Sequence, residues 1–253
     1  MKPSARMRAL VLLAALLSLV TGASAVADEI RVAVASNFTT AIRDLAGRFE
    51  QHSGHKVTLV FSSTGKHYAQ IIHGAPFDAF FAADARRPEL LDTEGVALAG
   101  SRFTYAVGKL VLWSPDEDRV DSTGKVLEQG DFRHLALANP RLAPYGRAAR
   151  EVLEKRGLWE ALQDRMVRGE NIGQAFQFVG SGNAELGFVA WSQVKRPGQV
   201  ASGSWWDIPQ VLYSPIEQQA VLLKDNPVAR NFIAYVRSEE ALEIIRTYGY
   251  GTP

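Results

Sequence analysis

Ile30-Arg31-Val32-Ala33-Val34-Ala35 runs straight into Ser36-Asn37 and then Phe38-Thr39-Thr40-Ala41-Ile42, a strand that turns through polar side chains into a helix. The pattern returns at Val57-Thr58-Leu59-Val60-Phe61, followed by Ser62-Ser63-Thr64-Gly65 and then Lys66-His67-Tyr68-Ala69-Gln70-Ile71-Ile72. A helix start leaves backbone N–H groups without partners and carries a partial positive charge, which makes it a seat for an oxyanion. Ordinary N-capping accounts for the Ser, Asn and Thr of either turn taken alone. Two such turns at the carboxyl ends of neighbouring strands can grip one small anion from two sides.

Reading outward, the alternation of strand and helix continues. His73-Gly74-Ala75-Pro76 stops a helix, Phe77 to Ala82 is a short buried strand, and Ala83-Asp84 caps the next helix. The run Phe103 to Trp113 is long for one strand and holds Gly108 at its middle, so it is expected to leave one lobe and enter another. A second set follows: a strand at His134 to Ala138, a helix from Pro144 to Lys155, and a short strand near Met166-Val167-Arg168. A helix from Ile172 to Val179 and a strand from Glu185 to Ala190 complete it. Gln218 to Leu223 is a strand able to cross back, and helices at Pro227 to Arg237 and Glu239 to Tyr248 close the chain on the first lobe. This order implies an α/β protein whose mixed, mainly parallel sheets are covered on both faces, with ligands beyond the carboxyl ends of strands.

The N-terminus reads as a secretory signal over residues 1–27. Lys2, Arg6 and Arg8 precede an apolar core from Ala9 to Val20, and Ala25-Val26-Ala27 is a small-x-small cleavage site, with Ala23-Ser24-Ala25 as the alternative. The apolar run is shorter than the ~20 residues that span a bilayer. With no cysteine there is neither a lipid-anchoring thiol nor a disulfide framework, so a soluble, periplasmic protein is expected. The 28 basic residues barely exceed the 27 acidic ones, and without the three in the leader the balance turns slightly acidic. No basic stripe for nucleic acid is present. An anion would have to be held by local neutral donors.

Support for an enzyme is missing. There is no Gly-x-Ser-x-Gly elbow. Ser63-Thr64-Gly65-Lys66 has the look of a phosphate loop, but that motif needs Gly at position 60 and Ser or Thr at 67, where Val60 and His67 stand. His52 and His55 match no zinc spacing and read as solvated surface, while His67 falls in the first turn of a helix near the expected cleft. Most aromatic residues lie inside apolar runs and belong to the core; Trp205-Trp206 has no place in this reading.

Taken together, several stretches resemble the periplasmic molybdate-binding proteins, the substrate-binding components of ATP-driven molybdate importers. They are Val34-Ala35-Ser36-Asn37-Phe38, Phe61-Ser62-Ser63-Thr64-Gly65, and Gly74 to Asp84, close to the family's GAP-x-D-x-F-x-x-AD stretch. Ala138-Asn139-Pro140 with Ala143-Pro144-Tyr145-Gly146, Glu170-Asn171-Ile172, Leu186 to Val189 and Arg246 to Tyr250 follow in order. The landmarks cover nearly all of the chain beyond the leader. The resemblance implies a two-lobed clamshell of the type II periplasmic binding proteins, with residues 28–108 plus 214–253 as lobe I and 109–213 as lobe II. It implies a tetrahedral dianion, molybdate or tungstate, held by neutral donors without direct protein–metal bonds and without any cofactor. Carried over by position, Ser36 and Asn37 come from the first turn and Ser63 and Thr64 from the second, with the backbone N–H groups of Tyr145 and Ile172 facing them. The partner it implies is an inner-membrane permease, met by a monomer.

One departure stands out. A branch of the family places a ligand-contacting tyrosine where this chain has Ala190 and Trp191, and Tyr145 replaces a small residue of that branch. The Tyr145 hydroxyl is therefore expected to enter the pocket from the other side, while Lys66 and Arg147 are expected to point to solvent. The competing readings are a clamshell for sulfate, phosphate or phosphonate, a periplasmic ester hydrolase, and the sensing module of a regulator.

Overall fold

The computed structural model describes residues 27–253, and the leader expected at 1–27 lies, but for Ala27, outside the described residues. Strand β1 (Glu29–Ala35) turns through a short 3-10 segment, Ser36–Phe38, into α1 (Thr39–Ser53), and β2 (Lys56–Ser62) leads into α2 (Thr64–Ile72). Then come β3 (Ala79–Phe81), α3 (Arg86–Thr93) and β4 (Phe103–Gly108). The long run expected to cross between lobes does so, broken at Lys109 into β4 and β5 (Leu110–Ser114).

The second half holds α4 (Val126–Gln129), β6 (Leu135–Ala138), α5 (Pro144–Lys155), α6 (Trp159–Leu162), β7 (Met166–Gly169) and α7 (Ile172–Gly180). After β8 (Leu186–Ala190), α8 (Trp191–Val194) and β9 (Ser204–Asp207), the chain returns through β10 (Ile216–Leu222) and ends in α9 (Pro227–Val236) and α10 (Glu239–Thr247). Two five-stranded sheets result, ordered β2-β1-β3-β10-β4 and β7-β6-β8-β5-β9. In each, four of the five strands point the same way and the strand next to one edge is reversed: β10 against β3 and β4, β5 against β8 and β9. The chain therefore passes between two α/β lobes twice, at Lys109 and in the segment joining β9 to β10.

Strand parity puts apolar side chains on both faces of each sheet, as expected for strands covered on two sides. In β1, Ile30, Val32 and Val34 enter the core under α1, α9 and α10, while Ala33 joins the opposite core with Phe80 and Ile71. In the other lobe, Leu110 and Leu112 face one core and Val111 and Trp113 the other. Local signals set the helix ends. Gly54, at φ 72°, closes α1 with its N–H on the Glu50 carbonyl, and Pro144 begins α5, where its missing N–H costs nothing. Asn226 and Ser238 cap α9 and α10. The cap expected at Ala83-Asp84 falls one residue later, since α3 begins at Arg86, though the Asp84 carboxylate still accepts from the Arg87 N–H at 3.1 Å. The Trp205-Trp206 pair, unplaced by sequence, forms the edge strand β9, where Trp206 is buried under the Arg156 guanidinium.

Candidate functional site

Four chain turns meet between the lobes. Ser36–Phe38 follows β1, Ser63 caps α2 after β2, α5 begins at Pro144 beyond β6, and α7 begins at Ile172 beyond β7. All four lie past the carboxyl ends of parallel strands, where α/β folds collect ligands. The hollow they border is small, with about 10 Å³ open to a water-sized centre, and is lined by Ser36, Asn37, Ser63, Thr64, Tyr145 and Ile172 with small neighbours such as Ala35, Ser62 and Pro144. All six residues singled out from sequence thus border one hollow, and no lining residue is charged. A neutral wall with several unpartnered N–H groups stabilises an anion through oriented dipoles rather than through a fixed cation.

Most of the polar lining groups are held by a partner that leaves them something to give. The Thr64 hydroxyl accepts the Ala83 N–H at 3.0 Å, and the Ser63 hydroxyl accepts the Lys66 N–H at 3.3 Å, so both keep their own proton. The Ser36 hydroxyl accepts the N–H of Gly173, in the opposite lobe, at 3.2 Å. Asn171 caps α7 by accepting the Gln174 N–H at 3.0 Å, leaving the first N–H of that helix, at Ile172, to face the hollow. The Tyr145 ring is buried rather than lying on the surface at its helix start, and its phenol accepts the Gln218 Nε2–H at 3.2 Å. Burial pushes that phenol well above its ordinary pKa, so it stays protonated.

Asn37 departs from the simplest expectation. Its Nδ2 donates to Gln218 Oε1 at 2.8 Å and to the Tyr250 hydroxyl at 3.1 Å, so the side-chain amide faces a buried polar cluster. What Asn37 offers the cavity as a donor is its backbone N–H. Its Oδ1 is buried without a partner. That cluster of Gln218, Tyr105 and Tyr250 was not read from sequence; the signal available was a glutamine at a core-facing position of the returning strand.

The lobes touch around the cavity. The Gly65 N–H donates to the Leu142 carbonyl at 2.9 Å, and Arg87 reaches the Arg141 carbonyl at 3.4 Å. Lys66, expected to face solvent, is half exposed but spans the cleft mouth to Glu170 at 3.1 Å. Arg147 is also half exposed and lies beside Glu151. Of the histidines, His52 is exposed as expected. His67 is fully buried on α2, its Nε2 beside the Val34 carbonyl at 3.2 Å and its Nδ1 beside Gln70 Oε1 at 3.1 Å. Desolvation lowers its pKa, which suits a neutral packing residue against Phe77 and Phe80. Among the described residues, no group of three or more His, Asp or Glu side chains is placed to hold a metal ion. No helix among them is long and apolar enough to cross a membrane.

Similar proteins share this architecture. The family described as bacterial extracellular solute-binding protein matches residues 30–251. A molybdate-binding protein ModA of Azotobacter vinelandii is 53% identical over 231 residues, covering 90% of this chain and 92% of its own. Another, from Rhodobacter capsulatus, is 48% identical over 241 residues, covering 93% and 94%. The solved periplasmic molybdate-binding protein of Azotobacter vinelandii superposes with a TM-score of 0.86 at 44% identity, over 88% of this chain and 99% of that one. With its two open five-stranded sheets and the cavity between them, this chain belongs to the bacterial extracellular solute-binding proteins, on the branch of the periplasmic molybdate-binding relatives.

Proposed function

We propose that this chain binds molybdate, and also tungstate, in the cavity between its lobes and delivers it from the periplasm to an ATP-driven importer in the inner membrane. One observation carries the reading: donors from four turns, two on each lobe, converge on a small hollow with no charged lining residue. Ser36, Asn37, Ser63, Thr64, Tyr145 and Ile172 replace the hydration shell of the dianion, and the metal centre touches no protein atom. With about 10 Å³ open to a water-sized centre, the hollow is far below the ~300–1,000 Å³ of drug-sized sites, which favours a compact ion over a sugar or peptide. The relatives are binding proteins, and the cavity brings no general base to its hydroxyl groups, which speaks against hydrolysis.

Hydrogen bonds to a charged partner contribute roughly 1.5–3 kcal/mol each. About six of them, less desolvation and closure, leave about 8–11 kcal/mol, or micromolar down to about 10 nM affinity. Molybdate and tungstate are nearly equal in size and charge. Sulfate has shorter bonds, so some buried donors would stay unpaired, which is how such sites discriminate strongly. Residues 28–108 with 214–253 form lobe I and 109–213 lobe II, and closure turns on the two inter-lobe crossings. The mature chain acts as a monomer that meets its permease transiently. Isothermal titration tests the assignment: one-to-one binding of molybdate and tungstate is expected, with sulfate at least ~100-fold weaker. Equal affinity for sulfate would overturn it.

A further inference from the structure

We propose that Gln218 is a positioning residue that fixes the Tyr145 phenol as a hydrogen-bond donor to the bound anion; this rests on the molybdate reading above. Gln218 is fully buried on β10, the strand by which the chain returns to lobe I, and its carboxamide joins residues of both lobes. Its Oε1 accepts Asn37 Nδ2–H at 2.8 Å and is within 3.0 Å of the Tyr105 hydroxyl, while Nε2 donates to the Tyr145 oxygen at 3.2 Å.

Proton counting sets each direction. The Tyr250 hydroxyl has one proton, which it gives to the Asn37 carbonyl at 2.8 Å. Its oxygen must then accept from Asn37, which orients the Asn37 amide with Nδ2 toward Tyr250 and Gln218. Gln218 therefore has to present Oε1 to Asn37, and its Nε2 is left facing Tyr145. With its oxygen already accepting, the phenol keeps its own proton, and Tyr145 lines the cavity into which that proton can be given. The backbone is shaped around this contact. The pairing of β10 with β4 shifts register between Gln218 and Gln219, an irregularity of the kind that re-aims side chains beside binding sites. On the facing strand stands Gly108, where a Cβ would fall 2.1 Å from the Tyr145 oxygen and 2.6 Å from Gln218 Nε2.

A donor at this spot is thus required, and reversing its polarity is the sharpest test. In Gln218→Glu the carboxylate would take the phenol proton away from the anion and add a like charge. The ionisable groups around the carboxamide are Tyr105 from β4, Tyr145 from α5 and Tyr250 from the C-terminal segment, all pushed up by burial. Asp84, which acts on Tyr105, is already paired with Arg87. None of the three phenols titrates near neutrality, so a pH response of the variant reports on the introduced carboxyl.

Molybdate is titrated into wild type, Gln218→Glu, Gln218→Leu, Tyr145→Phe and the Leu/Phe double variant, with circular dichroism and thermal melts confirming folding. Gln218→Leu is expected to weaken binding by roughly tenfold, as for one misdirected bond to a charge. Gln218→Glu is expected to lose at least ~100-fold at pH 8.5 and to recover as the pH falls toward ~6, because a buried carboxyl protonates early and regains a donor. Wild type is expected to stay flat across that range. Added to Tyr145→Phe, the Leu substitution is expected to cost no more than about twofold. A Gln218→Leu affinity within about twofold of wild type, or a fully additive double variant, overturns the proposal. If the Glu variant does not fold, the Leu variant and its cycle with Tyr145→Phe decide. Failure of wild type to bind molybdate or tungstate would instead remove the functional reading on which it rests.

Discussion

At the residue scale, the cavity works by partners that consume one half of a group's hydrogen-bonding capacity and leave the other half free. Thr64, Ser63 and Ser36 each accept a backbone N–H, so their protons remain to be given. Tyr145→Phe removes one such donor and keeps the buried ring. It is expected to weaken molybdate binding by about 1–3 kcal/mol and, because the buried Gln218 Nε2 loses its acceptor, to lower the melting temperature of the unliganded protein by about 2–8 °C. Calorimetric titration beside a thermal melt checks this, and an unaltered affinity would put the phenol outside the anion's reach. The hydroxyl positions were legible in sequence because N-caps are local: Ser63 sits beside the helix it starts. The role of the Asn37 amide was not, since its partners are 181 and 213 residues away. His67 was opaque for the same reason, its burial being decided by Phe77, Phe80 and the Val34 carbonyl.

At the scale of elements, the α2 start meets the loop before α5 by backbone-to-backbone contact. A Cβ on Gly65 would lie 2.9 Å from the Leu142 carbonyl oxygen and 3.0 Å from an Arg87 nitrogen. Gly65→Ala is therefore expected to wedge the lobes apart and to weaken binding by on the order of tenfold, as overpacking a tight contact costs about 1–3 kcal/mol. Small-angle scattering of the molybdate-saturated variant should show a larger radius of gyration than saturated wild type. Equal radii and equal affinities would mean that the lobes do not close through this contact. Most elements could be read beforehand because their ends carry their own punctuation: Pro144 opening α5, Asn171 before α7, Ser238 before α10. The crossing next to Lys109 was legible from Gly108, which interrupts the apolar run from Phe103 to Trp113; the strands each half pairs with were not, because those partners lie far along the chain. Strand β9 escaped because four residues with two tryptophans carry too short a period to read.

At the scale of the molecule, two sheets of matching order face each other across a small polar hollow, and each contributes two of its four turns. The alternation of strands and helices announced this layering, and the chain-long resemblance announced the pairing of lobes. The contacts between the lobes were invisible, since Gly65 with Leu142 and Ser36 with Gly173 join residues far apart in the chain. The placement of β10 has a further consequence. It lies between β3 and β4, so one sheet stays in two pieces until nearly the last forty residues arrive, whereas the other is complete by Asp207. An unfolded chain would thus build its middle first and its ends together afterwards. Pulsed hydrogen exchange during refolding should protect amides of 110–207 before those of 29–108, and simultaneous protection would show that assembly waits for the whole chain. A stop codon just ahead of Ile216 would then leave a well-formed half joined to an unfinished one, the sort of product a quality-control protease clears.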